Sequence, residues 1–342
     1  MSRTEVRLSQ VELPTWDGVL PVWPGEDVEG TYVRRAPGTG VEPALFVHGL
    51  GGASTNWTDL MGLLSGHVDG AALDLPGFGR SAPPASGSYA LRTHVRAVVE
   101  LLEREDRGPV HLFGNSLGGA VATRVAARRP DLVRTLTLVS PALPNLRPRR
   151  GLDSRLPLLL LPGLAQLVNR RMAEQSPERR ARAVLELCYG DPSLIPEQRL
   201  REAADEVGRR NGLDHSQDAF TGSLKGLVAS YLERPPRSLW SQAATVQCPT
   251  LLIWGTADKL VDVRLAPKAL ATFPQSRLLV LPGVGHVAQL EAPETVARAF
   301  LALQEDAVAH TVAGVAPARS ALECDARPVT ARVGDGKEER TR

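Results

Sequence analysis

Aromatic residues and cysteine are both scarce in this chain. Phe, Trp and Tyr make up only 4% of the 342 residues, and the three cysteines are Cys188, Cys248 and Cys324. An odd number of widely spaced cysteines matches neither a disulfide framework nor the paired spacing of zinc ligands. We therefore predict a protein of a reducing compartment, most simply the cytoplasm, that holds no metal ion.

Long uninterrupted apolar runs are also absent. The most apolar stretch, Leu156–Val168, is too short to cross a bilayer and is broken by two prolines and a glycine. Residues Met1–Pro14 mix charged groups with short apolar groups and lack the apolar centre of a secretory signal. We therefore expect neither a transmembrane segment nor an export signal.

Neither sign of charge dominates the composition. The 40 Lys and Arg residues nearly balance the 38 Asp and Glu residues, so the net charge is only +2, and the basic residues form no stripe. This balance argues against nucleic acid as a partner. The sequence also lacks a Gly-Lys phosphate loop and a His/Cys cluster at ligand spacing. We therefore expect no cofactor.

Short apolar runs alternate with stretches of helical period along most of the chain. A short, fully apolar run indicates a buried strand, whereas apolar residues at positions i, i+3, i+4 and i+7 indicate a helix. Such alternation predicts an α/β protein with a mostly parallel sheet and helices on both faces. The strands are expected at Ala44–Val47, Ala71–Leu73, Val110–Phe113, Leu136–Val139, Thr250–Trp254 and Arg277–Leu281, and the helices at Trp57–Leu64, Ala90–Arg104, Ala266–Thr272 and Glu294–Gln304. Two alternating stretches near the start, Val6–Leu13 and Thr31–Arg35, predict antiparallel strands that open the sheet.

The alternation stops between residues 141 and 244. This stretch has helical period in places, no convincing strand, and 16 Arg and Lys against 12 Asp and Glu. We predict a helical insertion over one edge of the sheet, in which Leu156–Val168 packs the insertion, lines a pocket or touches a lipid surface. The core then comprises residues 1–140 and 245–305. Residues 306–342 have no periodic apolar positions, and we predict a disordered tail there.

Ser116 lies where the predicted strand Val110–Phe113 turns sharply into a helix. Gly114 and Gly118 flank it, and a turn this tight leaves no room for Cβ atoms at those positions. The bend pushes the serine outward and aims the free N–H groups of the following helix at any charge that develops beside it. This local pattern, G-x-S-x-G between strand and helix, is typical of a nucleophile.

A serine hydroxyl needs a base within hydrogen-bonding reach and an acidic group to orient that base. Asp258 follows one predicted strand and His286 follows the next. Because loops after parallel strands gather at one edge of a sheet, both residues can converge on Ser116. Asp262 remains an alternative to Asp258, and His215, in the insertion, an alternative to His286.

Three glycines follow the strand Ala44–Val47 in the segment His48–Gly52, so backbone N–H groups can approach a ligand closely there. We expect His48 to pin this glycine loop by hydrogen bonds. Asp74 begins a turn that also contains Pro and Gly, and we expect its side chain to tie down that turn.

Taken together, these motifs resemble those of the α/β-hydrolase fold superfamily over roughly residues 40–140 and 245–305. The insertion resembles the cap domain of that superfamily in position only. The matching motifs are the elbow Gly114-Asn115-Ser116-Leu117-Gly118, the His48-Gly49 loop, the turn Asp74-Leu75-Pro76-Gly77, the loop Gly255-Thr256-Ala257-Asp258, and Gly285-His286 with Glu291 and Pro293.

The resemblance assigns a role to each residue. It implies that Ser116 is the nucleophile, that His286 acts first as general base and then as general acid, and that Asp258 fixes the tautomer of the histidine. It also implies that the backbone N–H groups of Leu50 and Leu117 form an oxyanion hole. Superfamily members that hydrolyse haloalkanes or epoxides carry aspartate at the elbow, so a serine there favours acyl chemistry.

The expected activity is hydrolysis of a small or acyl-chain carboxylic ester. Superfamily members with the same elbow and a helical cap also include carbon–carbon hydrolases of ring-cleavage products, thioesterases and cofactor-free haloperoxidases, and the motifs do not separate these. A non-catalytic ligand receptor on this fold is a further alternative. The basic excess of the insertion fits either a solvated helix face or contact with an anionic substrate.

Overall fold

The computed structural model describes residues 6–15, 23, 25–36, 42–145 and 174–313. The stretch Leu156–Val168 and most of the expected C-terminal tail, residues 314–342, lie outside the described residues. The predictions made for them therefore stay predictions.

A single eight-stranded sheet forms the centre of the protein. In chain order its strands are β1 (Gly25–Val28), β2 (Thr31–Arg35), β3 (Glu42–Val47), β4 (Val68–Leu73), β5 (Val110–Asn115), β6 (Val133–Val139), β7 (Thr250–Gly255) and β8 (Ser276–Leu281). Across the sheet the order is β1-β2-β4-β3-β5-β6-β7-β8. The pairs β1/β2 and β2/β4 are antiparallel, and all other neighbours are parallel. The predicted fold class, a mostly parallel α/β sheet, is confirmed.

Helices cover both faces of this sheet. In the core they are α1 (Thr58–Leu64), α2 (Leu91–Glu105), α3 (Leu117–Arg128), α8 (Ala266–Thr272), α9 (Ala288–Glu291) and α10 (Pro293–Ala313), and in the insertion α4 (Pro177–Cys188), α5 (Glu197–Asn211), α6 (Ser216–Tyr231) and α7 (Leu239–Ala243). Every residue of β5 and of β7 is buried. Strands covered on both faces are expected to be mainly apolar, and the polar residues of these two strands are His111 and Asn115 in β5 and Thr250 in β7.

Successive strand residues face opposite sides of the sheet and so join different apolar cores. Leu45 and Leu112 belong to the core that includes residues of α2 and α3. Phe46 and Phe113 belong to the core under α1 and α10, where their rings stack with centroids 4.3 Å apart. The two cores together fix the sheet, and with it the loops at the carboxyl ends of the parallel strands.

The prediction of a strand at Val6–Leu13 is wrong. Residues 6–15 form no strand, and this segment instead lies against α10, where the Ser9 amide donates to the Arg298 carbonyl at 3.0 Å. The Arg298 guanidinium in turn donates to the carbonyl oxygens of Ser9 and Val11. Alternating apolar residues suit an extended segment that packs on a helix as well as a strand, which explains the error. The short strand β1 pairs with β2 in its place.

The last helix is longer than its apolar period indicated. It extends from Pro293 to Ala313, so residues 306–313 continue this helix, although the sequence assigned them to the tail. The sequence has no Gly or further Pro before Gly314. Ion pairs of Glu305 with Arg7 and of Asp306 with Arg277 also hold the part of the helix beyond Gln304.

Within residues 174–244 the insertion is helical and contains no strand. The pair α4 and α5 forms a small apolar cluster with Leu185, Tyr189, Leu200 and Val207 among its members. Among the described residues, no helix is both long enough and apolar enough to cross a membrane.

Candidate active site

Ser116 occupies the turn between β5 and α3. Its φ of 53° and ψ of −116° lie outside the usual regions for a residue with a side chain. Such strain costs on the order of 1–3 kcal/mol and persists only where the surrounding structure enforces it. A Cβ atom at Gly114 would lie 2.5 Å from the carbonyl oxygen of Gly118, and one at Gly118 would overlap the carbonyl oxygen of Val47. The two glycines therefore allow the turn.

The backbone of Ser116 is fixed on both sides. Its N–H donates to the Val139 carbonyl at 3.1 Å, and its carbonyl accepts from the amides of Ala120 and Ala142. Its side chain makes no capping bond to α3 and is only partly buried. The hydroxyl group is thus not used to hold the turn together.

His286 and Asp258 meet beyond the ends of β8 and β7. The Nδ1 atom of His286 lies 2.9 Å from Oδ2 and 3.1 Å from Oδ1 of Asp258. Asp258 also accepts hydrogen bonds from the amides of Leu260 and Val261. Burial acts to raise the pKa of Asp258, but the nearby imidazole and these amides hold that pKa below its ordinary value. An ionised carboxylate can only accept, so Nδ1 carries a proton, and in the neutral form of the ring Nε2 then keeps a lone pair.

The backbone of His286 is attached to the serine turn. Its carbonyl accepts from Nδ2 of Asn115 at 3.1 Å, and the same amide group donates to the Val139 carbonyl. No hydrogen bond joins the Ser116 hydroxyl to the His286 ring among the described residues. Such contacts are often long before a substrate binds. No role was predicted for Asn115, because the elbow pattern G-x-S-x-G leaves that position unspecified.

The glycine loop lies beside Ser116. A Cβ atom at Gly49 would lie 3.2 Å from the Ser116 Cβ. The amides of Leu50 and Leu117 donate to no residue in the described part of the chain. Both expected oxyanion-hole donors are therefore at the turn that carries Ser116 or in the loop next to it.

His48 and Asp74 have the structural contacts expected of them. Nδ1 of His48 donates to the Gly49 carbonyl at 2.7 Å, and Nε2 accepts from the Leu75 amide at 2.9 Å. Burial lowers the pKa of His48, which keeps the ring neutral in this arrangement. The carboxylate of Asp74 accepts from the amides of Arg80, in its own turn, and of Ser54.

The two alternative residues lie elsewhere. Asp262 binds the amide and the guanidinium of Arg264, with Oδ2 2.6 Å from Nη2. His215 precedes α6 and lines a surface pocket of about 410 Å³ together with Tyr89 and Lys225. Neither makes a hydrogen bond to the pair formed by His286 and Asp258 in the described residues.

Helix α5 brings positive charge to the glycine loop. Nη1 of Arg210 donates to the Gly51 carbonyl at 2.7 Å, and Arg209 donates to the Gly79 carbonyl. Nε of Arg210 lies 3.7 Å from the Glu206 carboxylate, and burial lowers the pKa of Arg210. Nothing in the residue spacing of the insertion singled out this arginine.

The described residues contain no group of three side chains arranged to hold a metal ion.

Comparison with known proteins finds a fold-family profile and relatives that each match most of this chain. Residues 43–293 match the sequence profile of the alpha/beta hydrolase fold. The dihydrolipoyllysine-residue acetyltransferase component of the acetoin cleaving system of Cupriavidus necator is 30% identical over 78% of this chain. This chain spans 64% of the length of that relative, slightly less than two thirds.

Two further relatives carry the names of hydrolases. Lipase 3 of a Moraxella species is 28% identical, over 77% of this chain and 78% of the lipase. The 2-hydroxy-6-oxononadienedioate/2-hydroxy-6-oxononatrienedioate hydrolase of Cupriavidus pinatubonensis is 25% identical, over 74% of this chain and 83% of that enzyme. Since the matching profile covers well over half of the chain and the sheet has the order described above, the protein belongs to the alpha/beta hydrolase fold family.

Proposed function

We propose that the protein is a serine hydrolase that cleaves a carboxylic ester through an acyl-enzyme. The single observation that carries this proposal is the contact between His286 Nδ1 and the Asp258 carboxylate, in a loop whose backbone is bonded to the residue before Ser116. This contact fixes the histidine tautomer that can accept a proton at Nε2. The position of Ser116 at a strained, partly exposed turn supports its assignment as nucleophile.

In the proposed acylation step, the Ser116 Oγ attacks the ester carbonyl while His286 Nε2 takes the hydroxyl proton. The negative charge on the carbonyl oxygen is stabilised by the N–H groups of Leu50 and Leu117 and by the positive end of α3. The carbon–oxygen bond of the ester then breaks, and His286 returns the proton to the departing alcohol. Loss of one such oxyanion donor typically costs about 3–4 kcal/mol of transition-state stabilisation.

In the second half-reaction, water replaces the alcohol. His286 removes a proton from the water molecule, whose oxygen attacks the acyl carbonyl, and the same N–H groups stabilise the second oxyanion. Ser116 then leaves with the proton from His286, and a carboxylic acid is released. Asp258 stays ionised throughout and stabilises the imidazolium that forms in both steps.

We further propose that the insertion, residues 141–244, acts as a cap that selects the substrate. Its helix α5 contacts the glycine loop through Arg210, and a Cβ atom at Gly51 would lie 3.2 Å from the ring of Phe220 on α6. Side chains of the insertion therefore lie close to the proposed oxyanion hole. The lining of this region decides which acyl group fits.

A fluorophosphonate probe tests the assignment of the nucleophile. The probe should label the folded wild-type protein once, at Ser116, and should not label Ser116→Ala. Hydrolysis of a short-chain chromogenic ester should disappear in the same variant. Labelling at another residue, or ester turnover that survives in Ser116→Ala, would refute the proposal.

A carbon–carbon hydrolase with the same residues is the second candidate. The relative from Cupriavidus pinatubonensis favours it, because the substrate in its name has a ketone, an enol and two carboxylates but no ester. Parallel turnover measurements with a series of esters of graded acyl length, a thioester and a vinylogous diketone acid separate the two candidates. A higher kcat/KM for the diketone acid than for every ester would favour the second candidate.

A further inference from the structure

The loop that carries His286 packs directly on the backbone of the insertion. The amide of His286 donates to the Cys188 carbonyl at 2.7 Å, at the end of α4. A Cβ atom at Gly190 would overlap the carbonyl oxygen of Gly283, and one at Gly285 would overlap the carbonyl oxygen of Cys188. Two glycines thus let the segment 188–191 approach the histidine loop more closely than side chains would allow.

One carboxylate binds both of these segments. Oε2 of Glu291 accepts from the Gly285 amide at 2.7 Å and from the Gly190 amide at 3.0 Å, and Oε1 accepts from the Asp191 amide at 3.1 Å. Hydrogen bonds from N–H groups to a charged acceptor are about twice as strong as those between neutral groups. Glu291 therefore holds the histidine loop and the insertion in one arrangement.

Apolar packing joins the same two parts of the chain. Val287 and Leu290, which follow His286, are buried in the apolar cluster of the insertion. That cluster includes Leu185, Tyr189 and Leu200 from α4, its C-terminal end and α5. The insertion therefore packs on the residues that immediately follow the proposed base, and its docking and the position of that base are linked.

We propose that Glu291 is a positioning residue, which keeps His286 in its productive place by fastening the histidine loop to residues 188–191 of the insertion. The inference rests on the proposed function, in which His286 is the general base. Glu291 contacts no reacting atom in this scheme. Its effect passes through the Gly285 amide and the segment that bonds to the backbone of His286.

Two replacements of Glu291 separate its acceptor role from its size. In Glu291→Met the new side chain is about as long as that of Glu but accepts no hydrogen bond from the three amides. Glu291→Gln keeps one carbonyl oxygen, which can take the place of Oε2 and accept from Gly285 and Gly190. Glu294→Gln is the matched control, because Glu294 is exposed on α10 and pairs only with Arg298 among the described residues.

The expected result is a selective loss of turnover. In Glu291→Met we expect kcat for a chromogenic ester to fall on the order of 10- to 100-fold, with KM changed by less than about threefold, because small misplacement of a catalytic group costs rate rather than affinity. Glu291→Gln should recover most of this loss, and Glu294→Gln should match the wild type. Amide hydrogen exchange should rise in Glu291→Met at residues 188–191 and 283–286 together.

Two results would overturn the proposal. One is a Glu291→Met protein with wild-type kcat, and the other is unchanged exchange in both segments. If Glu291→Met does not fold, Gly190→Ala tests the same contact from the other side. The added methyl group should push the insertion off the histidine loop and lower kcat, and an unchanged kcat would again contradict the inference.

Failure of the proposed function is recognised separately. Fluorophosphonate labelling of the wild-type protein at Ser116 does not depend on any change at Glu291. Absence of that label refutes the hydrolase assignment, whereas the exchange measurements still decide whether Glu291 joins the two segments.

Discussion

His286 and Asp258 form a two-oxygen contact, with Nδ1 of the imidazole 2.9 Å from Oδ2 and 3.1 Å from Oδ1. The side chain of Asp258 is fully buried and that of His286 is 5% exposed. An aspartate that is buried here and bonded to two backbone amides is rigidly placed. It can therefore hold the imidazole in one tautomer and one orientation.

Replacing Asp258 by Asn should therefore lower kcat on the order of 10⁴-fold, because an amide at this position favours the wrong tautomer of His286. The measurement is steady-state hydrolysis of a chromogenic ester, with circular dichroism to verify the fold. Asp262→Asn is the control and should retain near wild-type kcat, since Asp262 bonds to Arg264 and not to His286. A larger loss in Asp262→Asn than in Asp258→Asn would reverse the assignment.

Gly118 offers a test of the serine turn that does not touch the proposed reacting groups. A Cβ atom there would overlap the carbonyl oxygens of Val47 and His48, which belong to backbone and cannot swing away. We expect Gly118→Ala to lower the free energy of unfolding by about 3 kcal/mol or more, the upper end of the usual range for overpacking. Urea denaturation followed by circular dichroism measures this change.

Gly66→Ala is the matched control for that experiment. A Cβ atom at Gly66 would lie 3.7 Å from the ring of Pro14, which is ordinary van der Waals contact. This variant should stay within about 0.5 kcal/mol of the wild type. Equal stability of Gly118→Ala and Gly66→Ala would mean that a Cβ atom at position 118 does not overlap the backbone of Val47 and His48.

The parallel sheet and the meeting of Asp258 with His286 could be predicted from the sequence because each depends on a local signal. Buried parallel strands give short apolar runs, and Asp258 and His286 each follow such a run. The serine turn requires glycine at positions 114 and 118, since backbone passes within Cβ distance there. These signals need only a few neighbouring residues and a rule about where parallel strands end.

The features that sequence reasoning missed depend on contacts between distant segments. Glu291 belongs to one of the motifs that resemble the α/β-hydrolase fold, but no period or motif predicts its hydrogen bonds to the amides of Gly190 and Asp191, about 100 positions away. The same holds for Arg210 and the Gly51 carbonyl, separated by 159 positions. The prediction of a strand at Val6–Leu13 is wrong for a related reason, since this segment packs on α10, and Arg298 of α10 is 289 positions away from Ser9 in the sequence.

His94 should make the protein less stable in acid. Burial lowers its pKa to about 3, with a smaller contribution from His48, and its Nε2 lies 2.8 Å from the Ser223 hydroxyl on α6. The ordinary histidine pKa is about 6.5, so between these values the unfolded chain binds a proton that the folded protein does not. Stability from this residue is therefore present above about pH 6.5 and is lost as the pH falls towards 3.

For one such histidine, the free energy of unfolding should fall by up to about 2 kcal/mol between pH 7 and pH 5. His94→Gln removes the titrating group and should reduce the loss measured by urea denaturation at the two pH values. Ser223→Ala keeps the burial and should retain the wild-type pH dependence, because burial is the main cause of the shift. An identical pH dependence in His94→Gln and the wild type would contradict the prediction.

Arg199 and Asp59 anchor the insertion to the core. Nε and Nη2 of Arg199 on α5 lie 2.7 and 2.6 Å from the two oxygens of Asp59 on α1, and the side chains are only 5% and 10% exposed. Loss of one partner from a buried pair leaves the other charge poorly compensated, whereas two apolar residues of similar volume can replace such a pair at little cost. We expect Arg199→Met to lower the free energy of unfolding by about 3–5 kcal/mol.

The double variant Asp59→Leu with Arg199→Met tests whether the two side chains are coupled. Its free energy of unfolding should fall by less than the sum of the decreases in the two single variants. A double-mutant cycle in urea measures this coupling, and strict additivity would show that the two side chains do not depend on each other.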